Sequence, residues 1–380
     1  MQRPPDKQLL EKIFPLLDSA NITADRELAA DMLLAVLKLA HDEPGRGEMK
    51  LMDRSIKELR YAFKIFKRYR QRRKVSVFGS ARTETTHPNY LLAQHFGKLL
   101  ADAGFMVITG AGGGIMAAGH EGAGKTESFG VAIKLPFEQK TNSVIEGDEK
   151  LLHFRYFFSR KLVFVKETHA IALFPGGFGT HDEGFEVLTL VQTGRCDPLP
   201  IVLLEEPGGT YWQSWDHFIK TELLAAQLIS PEDLHLYYIT HDAADAVRHI
   251  QTFYRNYHSC RYLKEELILR VKHAPTPAEL EKINADFGFI CTEGQIESRS
   301  PPLTRNLNEE TLVPNYSRIV LKFDRRSLGH LRLLIDRLNT LPSLPPIDHE
   351  TKALADTHAA SSDRNLSEIA EEESVRLVEP

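Results

Sequence analysis

Six short apolar runs, at 75–78, 105–109, 129–134, 170–174, 201–204 and 236–239, alternate with amphipathic stretches at 90–103, 152–166, 180–193 and 211–226. Strands that are apolar on both faces need cover on both faces, and the intervening helices supply it. The expected class is therefore α/β, a Rossmann-like parallel sheet with helices on both faces. Ligands of such sheets bind beyond the carboxyl ends of the strands. Glycines stand at those ends: Gly79, then Gly110 with Gly112, Gly113 and Gly114, then Gly176, Gly177 and Gly179.

The flanks read differently. Residues 1–74 form a helical N-terminal extension in which Ile56, Leu59, Phe63 and Phe66 recur at helical spacing as one apolar stripe. This helix runs into Lys67, Arg68, Arg70, Arg72, Arg73 and Lys74, a run better read as a solvated helix end than as an anion site. The Rossmann-like α/β domain is expected over 75–260. A small α+β module, ferredoxin-like or ACT-type in its β-α-β-β-α order, is expected over 261–341. The Pro-, Ser- and Glu-rich tail, 342–380, reads as disordered and acidic.

Composition narrows the functional classes. A net charge of −5 gives no global attraction to nucleic acid or anionic membrane. The three cysteines, Cys196, Cys260 and Cys291, are too far apart for a CxxC pair, and the sixteen histidines form no HExxH ligand set. No apolar run reaches the ~18 residues that span a bilayer. The first fifteen residues carry charges throughout, so no secretory leader, no membrane partner and a cytoplasmic location are expected.

Among the motifs, GHEGAGKT at 119–126 matches a phosphate-loop pattern, but it ends a helix rather than following a strand. The glycines at 110–114 do not fall in the dinucleotide GxGxxG register, which disfavours hydride chemistry. The run PGGFGTHDE at 175–183 is stronger. It lies between the strand at 170–174 and a helix expected from Thr180, where successive amides can point at an anion and Thr180 adds a hydroxyl. Glu183 has two readings there: the far end of a Thr-x-x-Glu capping box, or a carboxylate facing the site. On the preceding helix, Arg160 and Lys161 interrupt an apolar segment and could serve as surface charges or as phosphate contacts. His181 reads as an exposed helix residue.

The PGGxGTxxE loop, the Arg160-Lys161 helix, the segment Phe78-Gly79-Ser80 and the glycine turn before Ile115-Met116 together resemble the LONELY GUY (LOG) family, long labelled lysine decarboxylases. The resemblance covers roughly 75–257. It implies hydrolysis of the N-glycosidic bond of nucleoside 5′-monophosphates, such as AMP, GMP or a cytokinin nucleotide, to free base and ribose 5-phosphate. Carried over by motif, Arg160 and Glu183 are the catalytic pair, and Gly176, Gly177, Gly179 and Thr180 form the phosphate cradle. Gly79, Ser80, Gly112, Gly113, Gly114, Met116 and Lys161 would border base and ribose. A homodimer or larger homo-oligomer is implied, and the apolar helix at 152–165 agrees with it. One departure is Ala117, where many relatives carry Glu.

No cofactor or metal is expected. Pyridoxal phosphate would need a Schiff-base lysine with an acidic partner for the ring nitrogen, and the neighbours of Lys161 do not suit that role. The competing reading is a non-catalytic nucleotide sensor using the same phosphate loop.

Overall fold

The computed structural model describes residues 6–134, 140–300 and 316–346. They divide into two compact units, the first ending at Tyr61 and the second beginning at Ala62. The first contains α1 (Asp6–Ser19), α2 (Arg26–His41) and most of α3 (Arg46–Phe66). Ile13 and Leu17 of α1 close on Ala30 and Leu34 of α2. The expected stripe on α3 is only partly a core face. Phe66 is buried and stacks on Phe129 at 4.4 Å between ring centroids, whereas Ile56 and Phe63 are exposed. Spacing marks a stripe; which face of the helix packs is decided by its neighbours.

The second unit holds two sheets. In chain order its first part runs β1 (Lys74–Phe78), α4 (Pro88–Asp102), β2 (Met106–Thr109), α5 (Ile115–Ala123), β3 (Ser128–Ile133), β4 (Leu151–Phe154), α6 (Phe157–Glu167), β5 (Ala170–Leu173), α7 (Phe178–Gln192), β6 (Ile201–Leu204), α8 (Tyr211–Phe218), β7 (Tyr237–Thr240) and α9 (Ala243–Phe253). The sheet is parallel throughout, in the order β4-β3-β2-β1-β5-β6-β7. Chain order reverses between β1 and β5, which opens a crevice at their carboxyl ends.

One expected helix was drawn too long. Residues 151–154, most of them assigned to a helix at 152–166, form β4 beside β3, and α6 begins only at Phe157. His153 is exposed while Leu152 and Phe154 are buried, the alternation of a strand. The phosphate-loop lookalike also has a structural account. A Cβ on Gly122 would lie 1.8 Å from the Gln94 carbonyl oxygen of α4, so this glycine lets α5 lie directly against α4. Within the same segment His120 is buried between Thr109 and the Phe129 carbonyl, both at 3.0 Å, and burial lowers its pKa to about 4.

The basic run after α3 is structural too. Arg72 donates to Glu127 at 2.6 Å, Lys74 Nζ donates to the Tyr69 and Arg72 carbonyls, and the Arg73 guanidinium sits 3.7 Å from the Tyr254 ring centroid.

The C-terminal part comprises β8 (Tyr257–Leu263), β9 (Glu266–Val271), α10 (Pro277–Phe287), β10 (Cys291–Arg299), β11 (Ser317–Phe323) and α11 (Leu328–Asn339), with an antiparallel sheet in the order β10-β11-β9-β8. β11 pairs between β9 and β10, the two strands joined through α10, which is the split β-α-β pattern. The extra strand β8 begins at Tyr257, ahead of the expected boundary at 260. Asn339 clamps this junction: its Oδ1 accepts from the Asn256 and Tyr257 amides, and its Nδ2 donates to the Phe253 carbonyl. Most of the acidic tail, 347–380, lies outside the described residues.

Candidate active site

Three loops leave the carboxyl ends of β1, β2 and β5, and backbone hydrogen bonds knit them together. Ser80 N donates to the Pro175 carbonyl and Ile115 N to the Ser80 carbonyl, each at 3.1 Å. Between them opens a cavity of about 800 Å³. Gly79, Ser80, Met116, Arg160, Gly176, Gly177, Gly179, Thr180 and Glu183 all line it, with Phe157 and Phe178 at its wall. Most of the expected site residues, from four separate stretches of chain, therefore converge.

The cradle is the start of α7. Its N-cap is Gly177, and the first turn of any helix leaves amides without intrahelical partners. The residues of that turn, Gly177 to Thr180, line the cavity, at the positive end of the helix dipole. Gly176 is required by close approach, because a Cβ there would lie 2.1 Å from Thr180 Oγ1 and 3.1 Å from Ser80 N. The helix starts at Phe178 rather than at Thr180, and this removes one of the two readings of Glu183. Thr180 stands inside the first turn, not at the N-cap, so no Thr180–Glu183 capping box exists.

Glu183 is instead turned inward and is 5% exposed. Arg160 Nη1 lies 3.6 Å from its Oε1. The guanidinium is held from behind by Nε donating to the Val131 carbonyl of β3, 2.9 Å away, and by the ring of Phe164 at 4.9 Å. Burial pushes the Glu183 carboxyl above its ordinary value, and the cations of Arg160 and Lys161 oppose that shift. A buried carboxylate is tolerable here only because cations face it.

Lys161 does not line the cavity. Its Nζ sits among three acids of α7, 2.6 Å from Glu186, 3.0 Å from Asp182 and 3.8 Å from Glu183. Gly112, Gly113 and Gly114 also stand back from the cavity lining. Gly112 gives its carbonyl to Asn142 Nδ2, and Gly114 caps α5. The departure noted at Ala117 falls on a buried position of α5.

His181 is not the exposed helix residue expected: it is half-buried, and its Nε2 lies 2.6 Å from Tyr211 Oη. Nothing in the local motif marks Tyr211, which comes from the start of α8, thirty-five positions beyond Gly176. Among the described residues no three His, Cys, Asp or Glu side chains converge to hold a metal ion, and no helix is long and apolar enough to cross a membrane.

Residues 113–250 match the family model described as "possible lysine decarboxylase". Among solved structures, the chain is similar to the molybdenum cofactor binding protein of the phototrophic bacterium Rippkaea orientalis, at 19% identity over 48% of this chain and 96% of that one, with a TM-score of 0.34. It is also similar to the Moco carrier protein of Chlamydomonas reinhardtii, at 17% identity over 47% of this chain and 96% of that one, with a TM-score of 0.33. No curated protein matches the sequence.

Proposed function

We propose, for a chain whose α/β domain belongs to the lysine-decarboxylase-like, LONELY GUY family, that the site hydrolyses the N-glycosidic bond of nucleoside 5′-monophosphates. The observation that carries this reading is the buried Arg160–Glu183 pair, 3.6 Å apart, beside an amide cradle at the start of α7. The cradle suits a phosphate, and the cavity is large enough for the attached nucleoside.

In the reaction the bond from ribose C1′ to the base nitrogen breaks, and its electron pair leaves with the base. Positive charge develops on the ring, which an adjacent carboxylate stabilises. Glu183 takes that part and orients the water whose oxygen bonds to C1′. The proton released from that water balances the one the departing base gains, and the products are free base and ribose 5-phosphate. Arg160 offsets charge on phosphate or leaving base, and it favours the ionised form of Glu183 against the burial that raises its pKa. Lys161 acts by holding the acidic face of α7 in place rather than by touching the base.

A homodimer or larger homo-oligomer is part of the same reading. Phe157 and Phe178, which line the cavity, are about half and almost fully exposed, and Phe158 and Phe185 are exposed further along α6 and α7. Exposed aromatic clusters of this kind mark association surfaces.

The test is incubation of the purified protein with AMP, GMP, CMP and UMP, with chromatography for free base. Release of a purine base that disappears in Glu183→Ala and Arg160→Ala is the expected result. Tight nucleotide binding with no base release would establish the sensor instead.

A further inference from the structure

The glycine pair at 176–177 raises a physical problem. Two glycines carry no side chains to hold the peptide between them, and such a peptide can rotate at little cost. An amide that binds an anion must nevertheless be aimed before the anion arrives.

The structure supplies an external hold. Tyr211 Oη donates to the Gly176 carbonyl at 2.5 Å. In a trans peptide the C=O of one residue and the N–H of the next point in opposite directions, and no cis bond occurs among the described residues. The Gly176 carbonyl is drawn toward a second cavity of about 850 Å³, lined by Tyr211, His181, Glu205 and Ser214. The Gly177 N–H is thereby sent the opposite way, toward the cavity that holds Thr180 and Glu183.

Tyr211 is itself held twice. With its one proton committed to Gly176, Oη accepts from His181 Nε2 at 2.6 Å, and the two rings lie nearly parallel, 26° apart with centroids at 5.8 Å. The buried Glu205 carboxylate, at the end of β6, accepts from Tyr211 N at 2.9 Å and from Trp212 N at 3.1 Å. This fixes where α8 begins.

We propose that Tyr211, supported by His181 and Glu205, is a positioning residue that aims the Gly177 amide at the substrate phosphate. The proposal rests on the reading of the cradle as a phosphate site and extends it to the segment between β6 and α8. It predicts a dependence on the phosphate group alone. Replacing Tyr211 by Phe keeps the ring and removes the hydroxyl, so the loop folds but its peptide loses orientation.

Calorimetric binding of AMP, ribose 5-phosphate and adenosine to wild type and Tyr211→Phe provides the test, with thermal melting to confirm folding. AMP and ribose 5-phosphate should weaken about ten- to a hundredfold, the worth of one hydrogen bond to a charged group, while adenosine is unchanged. His181→Gln, whose amide can still donate to Tyr211, should bind AMP nearly as wild type, and His181→Ala should not. Equal weakening of adenosine and AMP in Tyr211→Phe, or no weakening of either phosphate ligand, overturns the proposal. A wild-type protein that binds adenosine as well as AMP overturns it too. If the binding contrast appears but no base is ever released, the hydrolase reading fails and the aiming role stands.

Discussion

Arg160 and Glu183 should behave as one unit, and a double-mutant cycle measures this. Their charged atoms lie 3.6 Å apart with both side chains largely buried. At an effective dielectric of about 20 this separation corresponds to about 4–5 kcal/mol of attraction before desolvation is counted. Removing one preorganised charge from a transition state typically costs about 10²–10³ in kcat. Arg160→Met and Glu183→Gln should each lose about that much AMP turnover. The double variant should lose little more than the worse single, because the group left behind has already lost its partner.

Arg160→Lys should not rescue activity. One ammonium cannot both replace the Nε bond to the Val131 carbonyl and face Glu183. The assay is adenine release under saturating AMP, followed by chromatography, with a thermal melt for each variant because breaking a buried pair costs about 3–5 kcal/mol of stability. Turnover in either single variant within threefold of wild type would refute the pairing. So would a double variant whose loss equals the product of the two singles.

The remaining predictions concern pH, the cradle, the helix crossing and assembly. Because burial raises the Glu183 pKa, the carboxylate is lost at a higher pH than an exposed glutamate would require, so the acid limb of kcat/KM lies above the ordinary carboxylate range. Lys161→Met removes a cation that favours the ionised form, so the limb should move further up in pH; a downward move would contradict the assignment. Gly176→Ala forces a Cβ against Thr180 and Ser80, and calorimetry should find ribose 5-phosphate binding at least about tenfold weaker. Gly122→Ala should lower stability by about 1–3 kcal/mol in denaturant titration without changing KM, since it disturbs only the α4–α5 crossing. Light scattering at micromolar concentration should show a dimer or larger species, and Phe157→Asp with Phe178→Asp should reduce it to a monomer.

Much of the fold was legible because apolar runs and helical periodicity are local properties. The six expected strands were found within one or two residues of their limits, and the loop at 175–183 stands at the end of β5, beside the crevice where the strand order reverses. The seventh strand, β4, was misread because Leu151, Leu152 and Phe154 suit a helix face as well as an edge strand; only pairing with β3 separates the two.

By itself the sequence determined the alternation of strand and helix, the glycine loop at the end of a strand and the candidates Arg160 and Glu183. Tertiary structure decided which way those candidates face. The start of α7 at Phe178 excluded the capping box, the acids of α7 drew Lys161 away from the cavity, and Tyr211 reached back from the start of α8 to Gly176. Periodicity is written in neighbouring residues, but the direction of a side chain is set by atoms that sheet pairing brings close from dozens of positions away.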